Sequence, residues 1–110
     1  MKEENTTVQM RKGVLEFCIL SIVYEKDAYA SDLIERLKSA HLIVVEGTLY
    51  PLLTRLKNQG YVSYYWEESK SGPPRKYFKI TENGVLFLDE LRENWFDFVN
   101  SVNSIIQTKK

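Results

Sequence analysis

The side chains of this sequence best equipped for chemistry are hydrogen-bond donors and cations rather than catalytic groups. The stretch 46–60 reads Glu-Gly-Thr-Leu-Tyr-Pro-Leu-Leu-Thr-Arg-Leu-Lys-Asn-Gln-Gly. Leu49, Leu52, Leu53 and Leu56 stand at i, i+3, i+4 and i+7, which places four leucines on one helical face. Gly47, Pro51, Thr54, Arg55 and Asn58 take the opposite face, with Tyr50 and Lys57 at one edge. Small residues let a backbone come close, and Thr, Asn, Tyr and Arg then reach phosphates or base edges, so the chemistry is recognition in a DNA major groove. The competing assignment for this stretch alone is an ordinary amphipathic surface helix. A second set of cations, Lys70, Arg75 and Lys76, surrounds the turn residues Gly72-Pro73-Pro74.

Catalytic chemistry has little to work with. The chain holds one His and one Cys, and it has no Gly-rich phosphate loop. Glu67 and Glu68 are adjacent on an expected strand end, where neighbouring side chains point to opposite faces and cannot share acid–base work. His41 closes an expected helix and reads as a solvated terminal residue. A metal site would draw most of its ligands from carboxylates, so no metal and no cofactor is expected. Cys18 lies in the apolar run Phe17-Cys18-Ile19-Leu20 and reads as core packing, with a redox role as the alternative. A lone cysteine makes no internal disulfide, and the expected location is the cytoplasm. The sequence reads as a non-enzyme.

Composition and charge agree with a binding module. At 110 residues and 44% apolar content the chain is long enough for one folded domain with a modest core. It has no run of 18 apolar residues, so no membrane span is expected, and its first residues lack the apolar core of a signal peptide. Net charge is zero but unevenly spread. Residues 1–53 hold six basic and eight acidic side chains, net −2; residues 54–81 hold six and two, net +4; residues 82–110 hold three and five, net −2. Positive charge is concentrated just after the leucine-faced stretch, as a local footprint on DNA requires.

The elements that would position these groups follow from periodicity. Residues 1–9 are polar and read as a flexible N-terminus. Residues 10–24 form a first helix, with Val14, Leu15, Cys18, Ile19, Ile22 and Val23 in helical register and Glu16 and Ser21 keeping part of it wet. Asp27 or Ser31 caps a second helix that runs to about residue 40 with Ala30, Leu33, Ile34 and Leu37 on one face. Residues 42–45 form either a short strand or a buried turn. Helix, short connection and helix make a helix-turn-helix. After Gly60 the period becomes 2. Residues 61–67 and 75–80 read as two strands of a hairpin, with Val62, Tyr64 and Trp66 on one side of the first. The hairpin is a wing whose Lys70, Arg75 and Lys76 lie along the phosphate backbone. Thr81 caps a last helix over 82–107, about 39 Å long at ~1.5 Å per residue. Leu88, Leu91, Trp95, Phe98, Val102 and Ile105 follow a 3-4 spacing, a heptad seam longer than one small domain can cover, so this helix is expected to dimerise.

Three segments, Gly47-Thr48-Leu49-Tyr50-Pro51-Leu52-Leu53-Thr54-Arg55-Leu56, Gly60-Tyr61-Val62 and Gly72-Pro73-Pro74-Arg75-Lys76-Tyr77-Phe78-Lys79-Ile80-Thr81-Glu82-Asn83-Gly84, closely resemble the PadR family of bacterial transcriptional regulators. Lys12-Gly13-Val14-Leu15, Tyr29 and Leu33 match as well, so the resemblance spans about residues 10–106; the single C-terminal helix is similar to the short-form subgroup. The resemblance implies a homodimeric winged-helix repressor. It places Thr48, Tyr50, Thr54, Arg55 and Lys57 on the DNA side of the recognition helix, Lys70, Arg75 and Lys76 on the wing, and Tyr29 at a phosphate. It also implies a cleft for a planar aromatic effector at the dimer centre, lined by Trp95 with Phe98 nearby.

The expected architecture is therefore mainly α with a small β-hairpin (α+β). A winged helix-turn-helix covers 10–81 and a dimerisation helix covers 82–110. The expected function is a sequence-specific DNA-binding regulator, a homodimer on a pseudo-palindromic double-stranded operator, released by a small molecule. The alternative is a winged-helix module for protein–protein contacts.

Overall fold

The computed structural model describes residues 14–107. The expected flexible segment 1–9, residues 10–13 of the expected first helix and the last three residues lie outside the described residues. In chain order the elements are α1 (Leu15–Glu25), α2 (Ala30–Ser39), α3 (Glu46–Asn58), β1 (Val62–Ser69), β2 (Gly72–Ile80) and α4 (Glu82–Ile106). The mainly α architecture with one antiparallel hairpin is the expected one.

One apolar core joins every element. Ile19, Leu20 and Val23 of α1, Leu33 and Leu37 of α2, Leu49, Leu53 and Leu56 of α3, Val62 and Phe78 of the hairpin and Leu88 of α4 are buried together, and among the described residues no polar or charged residue is buried with them. The leucine face of 46–60 is thus a packing face, which turns the polar face of α3 outward. Pro51 sits in the second turn of α3, and its missing N–H does not stop the helix from reaching Asn58.

The start of α2 differs from expectation. Neither Asp27 nor Ser31 caps it; Tyr29 is the N-cap residue, and its backbone N–H donates to the Asp32 carboxylate at 3.1 Å. The cause is long-range. Ala28 pairs with Phe78 of β2 through two backbone hydrogen bonds, 3.0 Å and 2.8 Å, which holds the chain extended until Tyr29. Residues 42–45 form no strand; Val44 is buried, while Ile43 and Val45 are exposed.

Both helices of the helix-turn-helix end on a left-handed residue. His41 (φ 67°) ends α2, with the His41 amide bonded to the Lys38 carbonyl at 2.9 Å and the Leu42 amide to the Leu37 carbonyl at 2.8 Å. Gly60 (φ 85°) does the same for α3. A polar knot then ties the end of α3 to the start of α4. The Thr81 hydroxyl donates to the Gly60 carbonyl at 2.6 Å and accepts from the Gly84 amide at 2.9 Å, while the Thr81 amide donates to the Tyr61 carbonyl at 3.1 Å. Gly84 lies so close to Tyr61 that a Cβ there would overlap the Tyr61 carbonyl oxygen. From this anchor α4 runs 25 residues, and the radius of gyration is 16.1 Å, against ~13 Å for a compact domain of this length.

Candidate nucleic-acid interface

The outer face of α3 is open. Gly47, Thr48, Tyr50, Pro51, Thr54, Arg55, Lys57 and Asn58 are all exposed, and the space beside Gly47 is empty. No side chain caps the first turn of α3; the Thr48 and Leu49 amides both donate to the Val45 carbonyl at 3.0 Å. Arg55 is not wholly free. Its Nε lies 3.2 Å from a Glu16 carboxylate oxygen of α1, although the side chain is 64% exposed. Glu16, expected to keep its helix wet, is mostly covered instead, with a side chain 20% exposed.

The hairpin register fixes the rest. Val62 pairs with Ile80, Tyr64 with Phe78 and Trp66 with Lys76, and cross-strand partners share a face. Ser63–Lys79, Tyr65–Tyr77 and Glu67–Arg75 take the other face. An open groove of about 460 Å³ separates the hairpin from the N-terminal ends of α2 and α3. Tyr29, Tyr50, Arg75 and Lys76 line it together, so four of the expected DNA-contact residues converge on one groove; Glu46 and Trp66 also line it. Thr48, Thr54, Arg55 and Lys57 lie along exposed α3 outside that lining, and Lys70 is exposed at the hairpin turn.

A column of rings buttresses the groove. Tyr29 stacks on Tyr77 at 4.0 Å, Tyr77 on Tyr65 at 5.4 Å, and the Arg75 guanidinium lies 4.9 Å from the Tyr29 ring centre. The Tyr65 hydroxyl donates to the Asp27 carboxylate at 2.8 Å. That bond, with some burial and the Asp27 charge, pushes the Tyr65 phenol up to about 12. The neighbouring Tyr29, stacked against it, and then burial push Tyr77 up to about 12 as well. Tyr29 is thereby held as part of the support that presents Arg75.

Away from this surface, α4 carries the expected seam. Leu88 is buried in the domain, Leu91 and Trp95 are partly buried, and Phe98, Val102 and Ile105 are exposed. Phe96 and Phe98 are 63% and 62% exposed. Trp95 packs between Phe17 of α1 (ring centres 6.2 Å apart) and Phe98 (6.5 Å). Cys18 is partly buried, and burial raises its thiol pKa, which disfavours the reactive thiolate. Among the described residues no cluster of His, Cys, Asp and Glu could hold a metal, and no helix is long and apolar enough to cross a membrane.

Two groups at this surface escaped the site assignment from sequence. Tyr64 and Trp66 stand at the end of the hairpin face turned toward the helices, and Lys76 sits over both rings, at 4.3 Å and 5.5 Å. Their alternation with polar residues was visible; the register that sets Trp66 opposite Lys76 was not. Glu16 gave no signal at all, because its partner Arg55 is 39 residues away in the chain.

Known proteins resemble this chain in sequence and fold. A family model described as the Transcriptional regulator PadR-like family matches residues 19–90. A PadR-like transcription factor of Bacteroides fragilis has a solved structure that is 57% identical in sequence, with TM-score 0.78, over 92% of this chain and 98% of that one. A PadR-like transcriptional regulator of Bacillus cereus is 36% identical, with TM-score 0.82, over 92% and 99%. A PadR family transcriptional regulator of Eggerthella lenta is 29% identical, with TM-score 0.87, over 96% and 93%. An uncharacterised protein of Lysinibacillus sphaericus is 30% identical over 87 residues, 76% of this chain and 80% of that protein.

Proposed function

This chain belongs to the PadR-like family of transcriptional regulators, and on that premise we propose that it is a homodimeric repressor that reads a pseudo-palindromic DNA operator and is released by a planar aromatic effector. The observation that carries the reading is the joining of two surfaces: the exposed polar face of α3 and a groove where Tyr29, Tyr50, Arg75 and Lys76 converge. In this reading Thr48, Tyr50, Thr54 and Arg55 enter the major groove. Tyr29, Lys57, Lys70, Arg75 and Lys76 hold the phosphates on either side. Residues 10–81 form the DNA-binding unit and 82–110 the dimerisation helix.

The exposure of Phe96, Phe98, Val102 and Ile106 on a helix that leaves the domain supports a second chain as the cover of α4. Trp95, flanked by Phe17 and Phe98, is the candidate platform for the effector. A ligand wedged there would move α4 against α1, and the knot at Thr81 ties α4 to the end of α3. Since a dimer reads half-sites about one turn apart, ~34 Å, a small change in the spacing of the two α3 helices weakens the fit.

The test is a salt series on a bound duplex. Each phosphate contact adds about −0.9 to the log–log slope. Replacing Arg75 and Lys76 by Ala in both protomers removes up to four contacts, so the slope becomes shallower by about 3 to 4. An unchanged slope would place the DNA surface elsewhere.

A further inference from the structure

The hairpin face turned toward the helices keeps its apolar character beyond the point where the core ends. Along it, exposure rises from Val62 at 2% and Phe78 at 4% to Tyr64 at 38% and Trp66 at 61%. Trp66 stands edge-on to Tyr64, with ring centres 6.4 Å apart at 85°, while most of its surface stays in contact with water. Nothing in the fold of the described residues uses that surface. Cations frame it: Lys76 of β2 over both rings, and Lys57 of α3 5.4 Å from the Tyr64 ring. The groove beside it ends at Tyr50 and Arg75, and Glu46 is its one acidic lining residue. A flat apolar ring with Lys76 over it, Arg75 in the same groove and Lys57 on the neighbouring Tyr64 ring matches a sugar–phosphate strand, whose deoxyribose is apolar and whose phosphates on each side are anionic. The indole N–H adds a donor that a phosphate oxygen accepts.

We propose that Trp66 is a DNA-contact residue that packs its indole on a deoxyribose of the backbone strand lying between α3 and the hairpin, with Lys57 and Lys76 neutralising the adjoining phosphates. The proposal rests on the DNA-reading assignment made above and adds an uncharged contact to it. The two kinds of contact leave different signatures. Removing a cation weakens binding and flattens the salt dependence, because fewer counterions are released. Removing an apolar ring weakens binding and leaves the salt dependence alone.

The experiment measures affinity of the full chain for a duplex selected from a random pool, across a salt series, for the wild type, Trp66→Ala, Trp66→Phe and Lys76→Ala. Trp66→Ala binds about tenfold more weakly at every salt concentration, with the wild-type slope. Trp66→Phe recovers most of the loss. Lys76→Ala flattens the slope by about 2, one phosphate contact for each half of a dimer. Trp66→Ala binding within twofold of wild type overturns the proposal. So does a slope change equal to that of Lys76→Ala, which would mean that Trp66 only holds Lys76 in place. If Trp66→Ala does not fold, the emission of Trp66 in a Trp95→Phe chain decides: a shift on adding the duplex supports the contact, and an unchanged spectrum overturns it. A wild-type chain that retains no duplex overturns the DNA-reading assignment itself, whereas the other failures leave that assignment standing.

Discussion

Arg55 and Glu16 come first at the residue scale, because one ion pair joins α3 to α1. The contact is partly exposed, so its worth to stability is small. In the proposed DNA-reading role its effect on binding is larger, since a carboxylate beside Arg55 competes with the DNA for the same guanidinium. Glu16→Gln is expected to bind duplex DNA about two- to fivefold more tightly, with a steeper salt slope, as measured by fluorescence anisotropy. Weaker binding would mean that Glu16 positions Arg55 instead. The tyrosine column makes a pH prediction. Tyr65 and Tyr77 have folded-state pKa values raised to about 12 from an ordinary 10. A raised pKa favours the protonated form in the folded state, so this contribution is complete below pH 10 and is lost as pH rises toward 12. Ultraviolet titration of the folded chain is expected to show Tyr65 and Tyr77 ionising late, toward pH 12. Tyr65→Phe removes one of them together with the Asp27 bond.

Two helix ends at the element scale differ in chemistry while sharing a geometry. Gly60 meets its positive φ with no Cβ to strain, whereas His41 adopts φ 67° while carrying a Cβ that crowds the backbone carbonyl. His41→Gly is expected to stabilise the fold by about 1 kcal/mol, read as a higher urea midpoint at unchanged m. Gly84→Ala runs the other way. Its new methyl meets the Tyr61 carbonyl and Ile80, neither of which can step aside without moving the turn. A loss of about 1 to 3 kcal/mol is expected. Most elements were legible because their period is local: the leucine face of α3, the alternation after Gly60 and the Thr81 cap all depend on neighbours within a few residues. The start of α2 was not. It depends on Ala28 pairing with Phe78, 50 residues later, and no local signal reports such a partner. The groove was legible only in part for the same reason. Its cations were visible as a charge run, but Trp66 joined them through hairpin register.

The whole molecule is a small domain with a long helix leaving it. Its apolar seam begins inside the core at Leu88 and passes into solvent at Phe98 and Val102. The dimer reading predicts that Val102→Glu lowers the sedimenting mass from twice 12.9 kDa toward 12.9 kDa, with a parallel loss of operator affinity and no change in far-ultraviolet circular dichroism per residue. A neutral chain binds DNA in this account because charge is arranged rather than abundant: the net +4 of residues 54–81 lies on α3 and the hairpin. Selection of binding sites from a random duplex pool tests that central claim most directly. The account predicts enrichment of a pseudo-palindrome with half-sites about one helical turn apart, held with a log–log salt slope of roughly −7 for the four cations per protomer that hold phosphates. A pool that returns no enriched sequence at physiological salt, from protein freed of small molecules, would contradict it.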